Sequence, residues 1–526
     1  MFIRIKRSLQ KGTLYEYLQI AQSYRKDGKP RQRVLATLGR RDEILANGRY
    51  DALLESMAKF SEKHRALAAG REMAARTAKS WGPALIFGRL WEEQGLPEII
   101  RALAEDRKFA FDVERVVFAM ALQRLCAPGS DLQGSGWVET VEGLPGIELQ
   151  HFYRANGFLA EVREELERAL FQRDRDLFSQ ELDLVFLDTT SVYVYRDTET
   201  TLRKRGYSRD RRPDLPQVVL GVAVDRKGWP VSWEIFPGHT ADPAALEAMV
   251  GKLRERFRIR RIIVVADRGM MGKDSLALLT EGNTPYDYIL GCRMRKQKEV
   301  NEEVLSRAGR YEEVDKKLKI KEVRIDDRRY VVCLNEEEAR KDKAARAAIL
   351  ARLEEKLAEG PKSLLGNKGY ARFLKMTKEA MRINDEAVAA EARLDGKFVL
   401  RTNTELPAAE VAQTYKSLWR VERTFRETKS TLEVRPIFHH RDDTTIGHIV
   451  AGFLALRLEV DLHRRLEEKR VETSWPTLMR DLSEVRAVRV ELGEKTYLLR
   501  TDLRGSAFEA FQAAGVRPPS PVTLVA

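Results

Sequence analysis

Two apolar runs limit what this chain can fold into: Leu184-Val185-Phe186-Leu187 and Ile262-Ile263-Val264-Val265-Ala266 read as buried strands, and each passes directly into an aspartate, Asp188 and Asp267. A carboxylate at the exit of a buried strand is costly unless something offsets its charge. A third acid, Glu422, lies in a stretch of helical pattern that begins at Tyr415. Two strand-borne carboxylates and one helical carboxylate are the oxygen donors expected of a divalent-metal site working on phosphates.

With 526 residues the chain exceeds one ordinary core, and about three or four units are expected. A formal charge of +13 beside an ordinary apolar fraction of 43% indicates a folded protein with a polyanionic partner. Cys126, Cys292 and Cys333 are odd in number and far apart, which supports neither a disulfide framework nor a structural zinc site. No apolar run is long enough for a signal peptide or a membrane span, so a cytoplasmic, nucleoid-associated protein with no membrane partner is expected.

The pattern divides the chain. Residues 1–41 read as a small β unit, with strands over Tyr15 to Ser23 and Arg33 to Leu38 joined by turn chemistry at Lys26-Asp27-Gly28-Lys29-Pro30. Residues 42–180 have helical periodicity and form the expected helical DNA-binding domain. From 181 to 294, strand runs at Leu184 to Leu187, Val218 to Val224, Val231 to Phe236, Ile262 to Ala266 and Tyr288 to Gly291 surround a helix from Pro243 to Phe257. Three strands, then helix, strand, helix and strand, is the order of an α/β, ribonuclease-H-like mixed sheet. The charged segment 295–400 reads as an insertion domain, 401–470 as the second part of the core with a helix from Pro407 to Thr431, and 471–526 as a C-terminal segment.

In such a sheet the first and fourth strands are neighbours, which would set Asp188 beside Asp267. The plainer alternatives are turn or cap roles for the aspartates and a solvated Glu422–Arg426 pair. The loop carrying Arg203, Lys204, Arg205, Arg209, Arg211 and Arg212 is expected to meet DNA phosphates, against the alternative of a solvated hairpin. Asp242 reads as a helix N-cap, and the adjacent His439 and His440 are expected to point apart and bind no metal.

Tyr415-x-x-Leu418-x-x-x-Glu422-x6-Lys429 resembles the tyrosine, arginine, glutamate and lysine signature of the insertion-sequence-four group of bacterial DDE transposases. Leu187-Asp188-Thr189-Thr190 and Ala266-Asp267-Arg268-Gly269 resemble its aspartate blocks, and the N-terminal segment ending Leu35-Ala36-Thr37-Leu38-Gly39-Arg40 resembles the branch with longer transposases. The resemblance implies that Asp188, Asp267 and Glu422 hold two Mg²⁺ ions, with Mn²⁺ as the substitute, and that Tyr415 and Lys429 contact DNA phosphates. Leu418 stands where the family has arginine, so Arg420 or Arg423 is expected to replace that charge. On one continuous helix, Tyr415, Glu422 and Lys429, each seven residues apart, share a face. The implied activity is cleavage at the terminal inverted repeats of an insertion sequence and joining of the 3′-hydroxyls to target DNA, by a homodimer on paired ends. A nuclease that cuts without joining and a catalytically silent repressor are the alternatives.

Overall fold

The computed structural model describes the chain except residues 11–12, 27–28, 47–48, 59, 61–72, 179–183, 258–262, 268–275, 278, 280–285, 360–371, 377–380, 493 and 526. The expected turn at Asp27-Gly28, the first residue of the Ile262 run, the Arg268-Gly269 block and the boundary near 180 lie outside the described residues.

The chain forms two units, one of residues 1–79, 486–502 and 519–526, the other of 80–485 and 503–518. In the first, strands β1 (Phe2–Gln10), β2 (Thr13–Lys26) and β3 (Lys29–Arg40) make an antiparallel sheet. Only part of this sheet is covered: Leu18, Ala21 and Ile44 are buried, whereas Phe2, Ile3, Ile5 and Leu9 are exposed beside Lys6 and Arg7. Strand β4 (Met73–Ser80) belongs to a second sheet of the same unit, described with its partners below. The expected 42–180 domain is therefore divided, because the segment up to Lys79 goes with the first unit.

The second unit is built on a nine-stranded sheet. Its strands are β5 (Leu184–Tyr193), β6 (Gln217–Val224), β7 (Pro230–Pro237), β8 (Ile263–Ala266), β9 (Asp287–Gly291), β10 (Glu312–Asp315), β11 (Leu318–Ile325), β12 (Arg328–Asn335) and, past the two-stranded pair β13 (Leu374–Met376) and β14 (Met381–Ile383), β15 (Lys397–Thr402). The order is β10-β11-β12-β15-β9-β8-β5-β6-β7, with β5, β8 and β9 parallel and the other neighbours antiparallel. Its β7-β6-β5-β8-β9 part is the ribonuclease-H-like arrangement. The 295–400 segment is not a separate insertion domain: β10, β11, β12 and β15 extend this same sheet, because Val331, Val332, Val399 and Leu400 alternate between its two faces and bury on both. In the first unit, β16 (Arg486–Leu492), β17 (Lys495–Arg500) and β18 (Val522–Leu524) complete the sheet with β4 in the order β18-β17-β16-β4.

Strand alternation sorts the core. Val185 and Leu187 of β5 pack on one face with Leu246, Met249 and Leu253 of the helix Asp242–Phe257. Phe186 packs on the other face with Val265, Val411, Val421 and Phe425 of the helices Ala408–Lys416 and Trp419–Arg426. Helices between Gly82 and Phe178 pack with the long helix Asp442–Glu468 in a third cluster, which takes in Val192 of β5 and Trp233 of β7. The fully buried Arg457 joins these layers by donating to both oxygens of Asp174 at 2.8 and 3.0 Å and to the Pro230 carbonyl at 3.1 Å.

Two further expectations need correction. Asp188 is not at a strand end; β5 runs on to Tyr193 because β6 pairs with it along that length, Asp188 opposite Val222. The Pro407–Thr431 helix is broken: it stops at Lys416, restarts at Trp419, and loosens to a π-turn over Glu427–Thr431. The break arises where buried Leu418 turns into the sheet-facing core, so the arginine position of the family signature serves packing here.

Candidate active site

Phe186 of β5 lies level with Val265 of β8, so Asp188 and Asp267, each two residues further along parallel strands, are side by side. By the same alternation both aspartates share the parity of Phe186 and Val265, the face covered by the two helices that carry Tyr415 and Glu422. That juxtaposition is the centre of the candidate site.

The aspartates are held differently. Asp188 accepts the Thr189 backbone N–H at 2.7 Å and faces the Arg209 guanidinium at 3.9 Å. Arg209 in turn donates to Asp242 at 2.6 Å and to the Thr189 hydroxyl at 2.8 Å, and that hydroxyl donates to Asp242 at 2.8 Å. Asp267 accepts the Tyr415 hydroxyl at 2.9 Å. Burial, reinforced by the charges of Asp267 and Asp242 and opposed by Arg209, pushes the Asp188 carboxyl up to about 7. One guanidinium thus serves two carboxylates, and the group at the centre resists ionising.

Glu422 is exposed on the Trp419–Arg426 helix. Among the described residues, Asp188, Asp267 and Glu422 do not form a set whose ligand atoms all lie within 4.8 Å of one another; the sets that do are Asp131, His439 and His448, and Glu427, Glu459 and His463. The first of these is a hydrogen-bonded network. His448 uses Nε2 on the Val434 carbonyl at 3.0 Å, and its Nδ1 meets Arg124 at 3.1 Å and His439 Nε2 at 3.2 Å, so a guanidinium fills the space a cation would need. His440 points elsewhere, to Arg196.

Several residues expected on DNA have partners within the protein. Arg203 is buried, donating to Asp442 at 3.1 Å and to the carbonyls of His439 and His440, so it holds the loop to the Asp442–Glu468 helix. The Lys429 side chain is 11% exposed and its ammonium donates to Asp210 at 2.9 Å; burial pulls its pKa down. Tyr415 orients Asp267, Arg423 bonds Glu427 at 2.5 Å, and Arg420 bonds the Lys227 carbonyl at 3.1 Å. Arg209 lies within the carboxylate cluster. Arg211, with φ +57°, is exposed on the loop, near Arg205 and Arg212, which pair with Glu199 and Asp214 of the same loop, and Lys204, 3.6 Å from Glu199. Asp242, whose block the family resemblance sets near the active site, does lie beside it, as the first residue of its helix rather than a cap. The threonine and arginine that seat it lie far from it in sequence.

The raised Asp188 sets a pH dependence. Its folded pKa of about 7 exceeds the ordinary aspartate value of 3.8, so in the metal-free protein the group favours folding most at acid pH, and that contribution is lost as pH rises through 7. A divalent cation must displace the proton below that point. Stabilisation by added Mg²⁺, read as a shift in Tm, is therefore expected to grow from about pH 5.5 to about pH 7.5 and then level off. In Asp188→Asn this dependence should flatten; an unchanged profile in that variant would remove Asp188 as its source.

The mixed sheet and its strand order define the class, a ribonuclease-H-like fold. Residues 179–458 match the family described as Transposase DDE domain, and the chain belongs to that family, an enzyme of metal-dependent DNA cleavage. Residues 3–70 match the IS1634 family transposase N-terminal domain, which gives a narrower placement than the insertion-sequence-four group. No curated protein matches the chain. Among solved structures, a piggyBac transposase synaptic complex with hairpin DNA is similar at 10% identity over 76% of this chain and 79% of that one, with a TM-score of 0.37. A Mos1 transposase paired-end complex with left transposon end, and a Mos1 mariner paired-end complex with Mn, are each similar at 15% identity over 35% of this chain and 55% of theirs, with a TM-score of 0.13. No helix among the described residues is long and apolar enough to cross a membrane.

Proposed function

We propose that this transposase binds the terminal inverted repeats of its own insertion sequence, cuts at the element ends and joins the freed 3′-hydroxyls to target DNA as a homodimer. Asp188, Asp267 and Glu422 are the proposed metal-holding acids. The observation that carries this reading is the placement of Asp188, on β5, beside Asp267, which directly follows the neighbouring parallel strand β8, inside the matched family region.

The donor set suits Mg²⁺, with Mn²⁺ as substitute: it is all carboxylate oxygen, and Asp188 is held in surroundings that disfavour its charge until a cation arrives. When bound, two such ions supply the charge stabilisation that in-line phosphoryl displacement requires. The remaining work falls to the chain. Tyr415 fixes one oxygen of Asp267 and so aims the other. Thr189 and Arg209 fix the direction of Asp188. Arg211, Arg205, Arg212 and Lys204, on the loop that leads to Arg209, are the proposed phosphate contacts, positioning DNA without reading its sequence.

Purified protein incubated with Mg²⁺, a duplex ending in the element's inverted repeat and a supercoiled target should give a nick that leaves a 3′-hydroxyl, followed by joined products. Cutting with no joined product would favour a nuclease without strand transfer. Repeat binding with no cutting would favour a silent DNA-binding repressor.

A further inference from the structure

The second ligand set lies on other elements. Glu459 and His463, one turn apart on the Asp442–Glu468 helix, face Glu427 at the start of the Glu427–Thr431 π-turn, with ligand atoms all within 4.8 Å of one another. The Glu459 side chain is 1% exposed, and neither of its carboxylate oxygens has a hydrogen-bond partner. A buried carboxylate left bare on both oxygens is costly, and it is either neutralised by a proton or matched to a cation. The resident cation is Arg423, which already donates to Glu427 at 2.5 Å and approaches Glu467 at 3.6 Å. One guanidinium therefore faces three glutamates.

We propose that Glu427, Glu459 and His463 bind one divalent transition-metal ion of the Zn²⁺ or Mn²⁺ class, separate from the carboxylate site of Asp188 and Asp267. Two carboxylates and an imidazole are a donor set for a borderline cation, whereas Mg²⁺ is served by oxygen alone. The His463 ring is held in place against Trp475, at 5.0 Å between centroids. A cavity of about 280 Å³, lined by Glu427, His463, Arg423 and Glu467, opens beside the set and has room for water ligands. Such an ion ties the π-turn after the Glu422 helix to the long helix behind it. The other set, Asp131 with His439 and His448, has no such bare carboxylate: Asp131 accepts from Asn156 at 2.7 Å, and His448 is engaged by Arg124 and the Val434 carbonyl.

The test uses the full chain, freed of metal by chelation and titrated with Zn²⁺ alone while bound metal and Tm are measured. One tight equivalent and a rise in Tm are expected. Both should persist when Asp188→Asn and Asp267→Asn are combined, and Glu459→Gln or His463→Gln should weaken that equivalent by more than about tenfold. An unaltered equivalent in Glu459→Gln and His463→Gln, or one lost with the two aspartate changes instead, overturns the proposal. Co²⁺ added to the wild-type chain supplies a readout that needs no variant: a visible absorption band of low-symmetry Co²⁺ is expected, and its absence also overturns the assignment.

Discussion

Replacing Asp188 or Asp267 with Asn, or Glu422 with Gln, is expected to lower cleavage of end-bearing DNA by roughly a thousandfold or more while leaving end binding within a few fold. Each change keeps side-chain volume and removes one charge. The two aspartates are neighbours across β5 and β8, so their effects should be non-additive: the double variant is expected to be little worse than either single one. Glu422 offers the sharper test, because it is exposed and can be altered at little cost to folding. Cleavage assays at saturating DNA, with binding measured in Ca²⁺ or without metal, separate the two effects. Cleavage at the wild-type rate by all three single variants would remove these residues from the reaction.

The second large effect is on stability. Asp210 accepts Lys429 at 2.9 Å and Arg435 at 2.8 Å, with only 5% of its side chain exposed. Asp210→Ala leaves the Lys429 ammonium buried without its counter-ion and is expected to cost about 3 kcal/mol, read as a lower midpoint in denaturant. Adding Lys429→Met to that variant should recover much of the loss, since the buried charge goes with its partner. Lys429→Ala is expected to leave the slope of DNA affinity against salt unchanged, while Arg211→Ala lowers it by about one. A changed slope in Lys429→Ala with unaltered stability would return Lys429 to the DNA surface.

These outcomes depend on features that differ in how plainly a sequence carries them. The core strands were legible because runs such as Val218 to Val224 and Val264 to Ala266 are apolar throughout, and strands covered on both faces leave that mark. The adjacency of Asp188 and Asp267 followed from strand order. The break at Ser417-Leu418 was not legible: Tyr415 to Glu422 has helical periodicity throughout, and only packing of Leu418 against the sheet interrupts it. Charge was misleading for a similar reason. Arg203 and Arg211 look alike in a basic loop, yet one is buried on Asp442 and the other is exposed. Which arginine finds an acid depends on Asp442, 239 residues further along the chain.

The continuity of the nine-stranded sheet bears on any attempt to trim the protein. β9 is closed on its outer side by β15, through pairs such as Leu400 with Gly291 and Thr402 with Ile289. Excising residues 295–400 would strip that cover and leave a raw apolar border of backbone donors and acceptors, the kind of surface that recruits other chains into aggregates. A minimal version of this protein has to keep β15 or cap the border it protects.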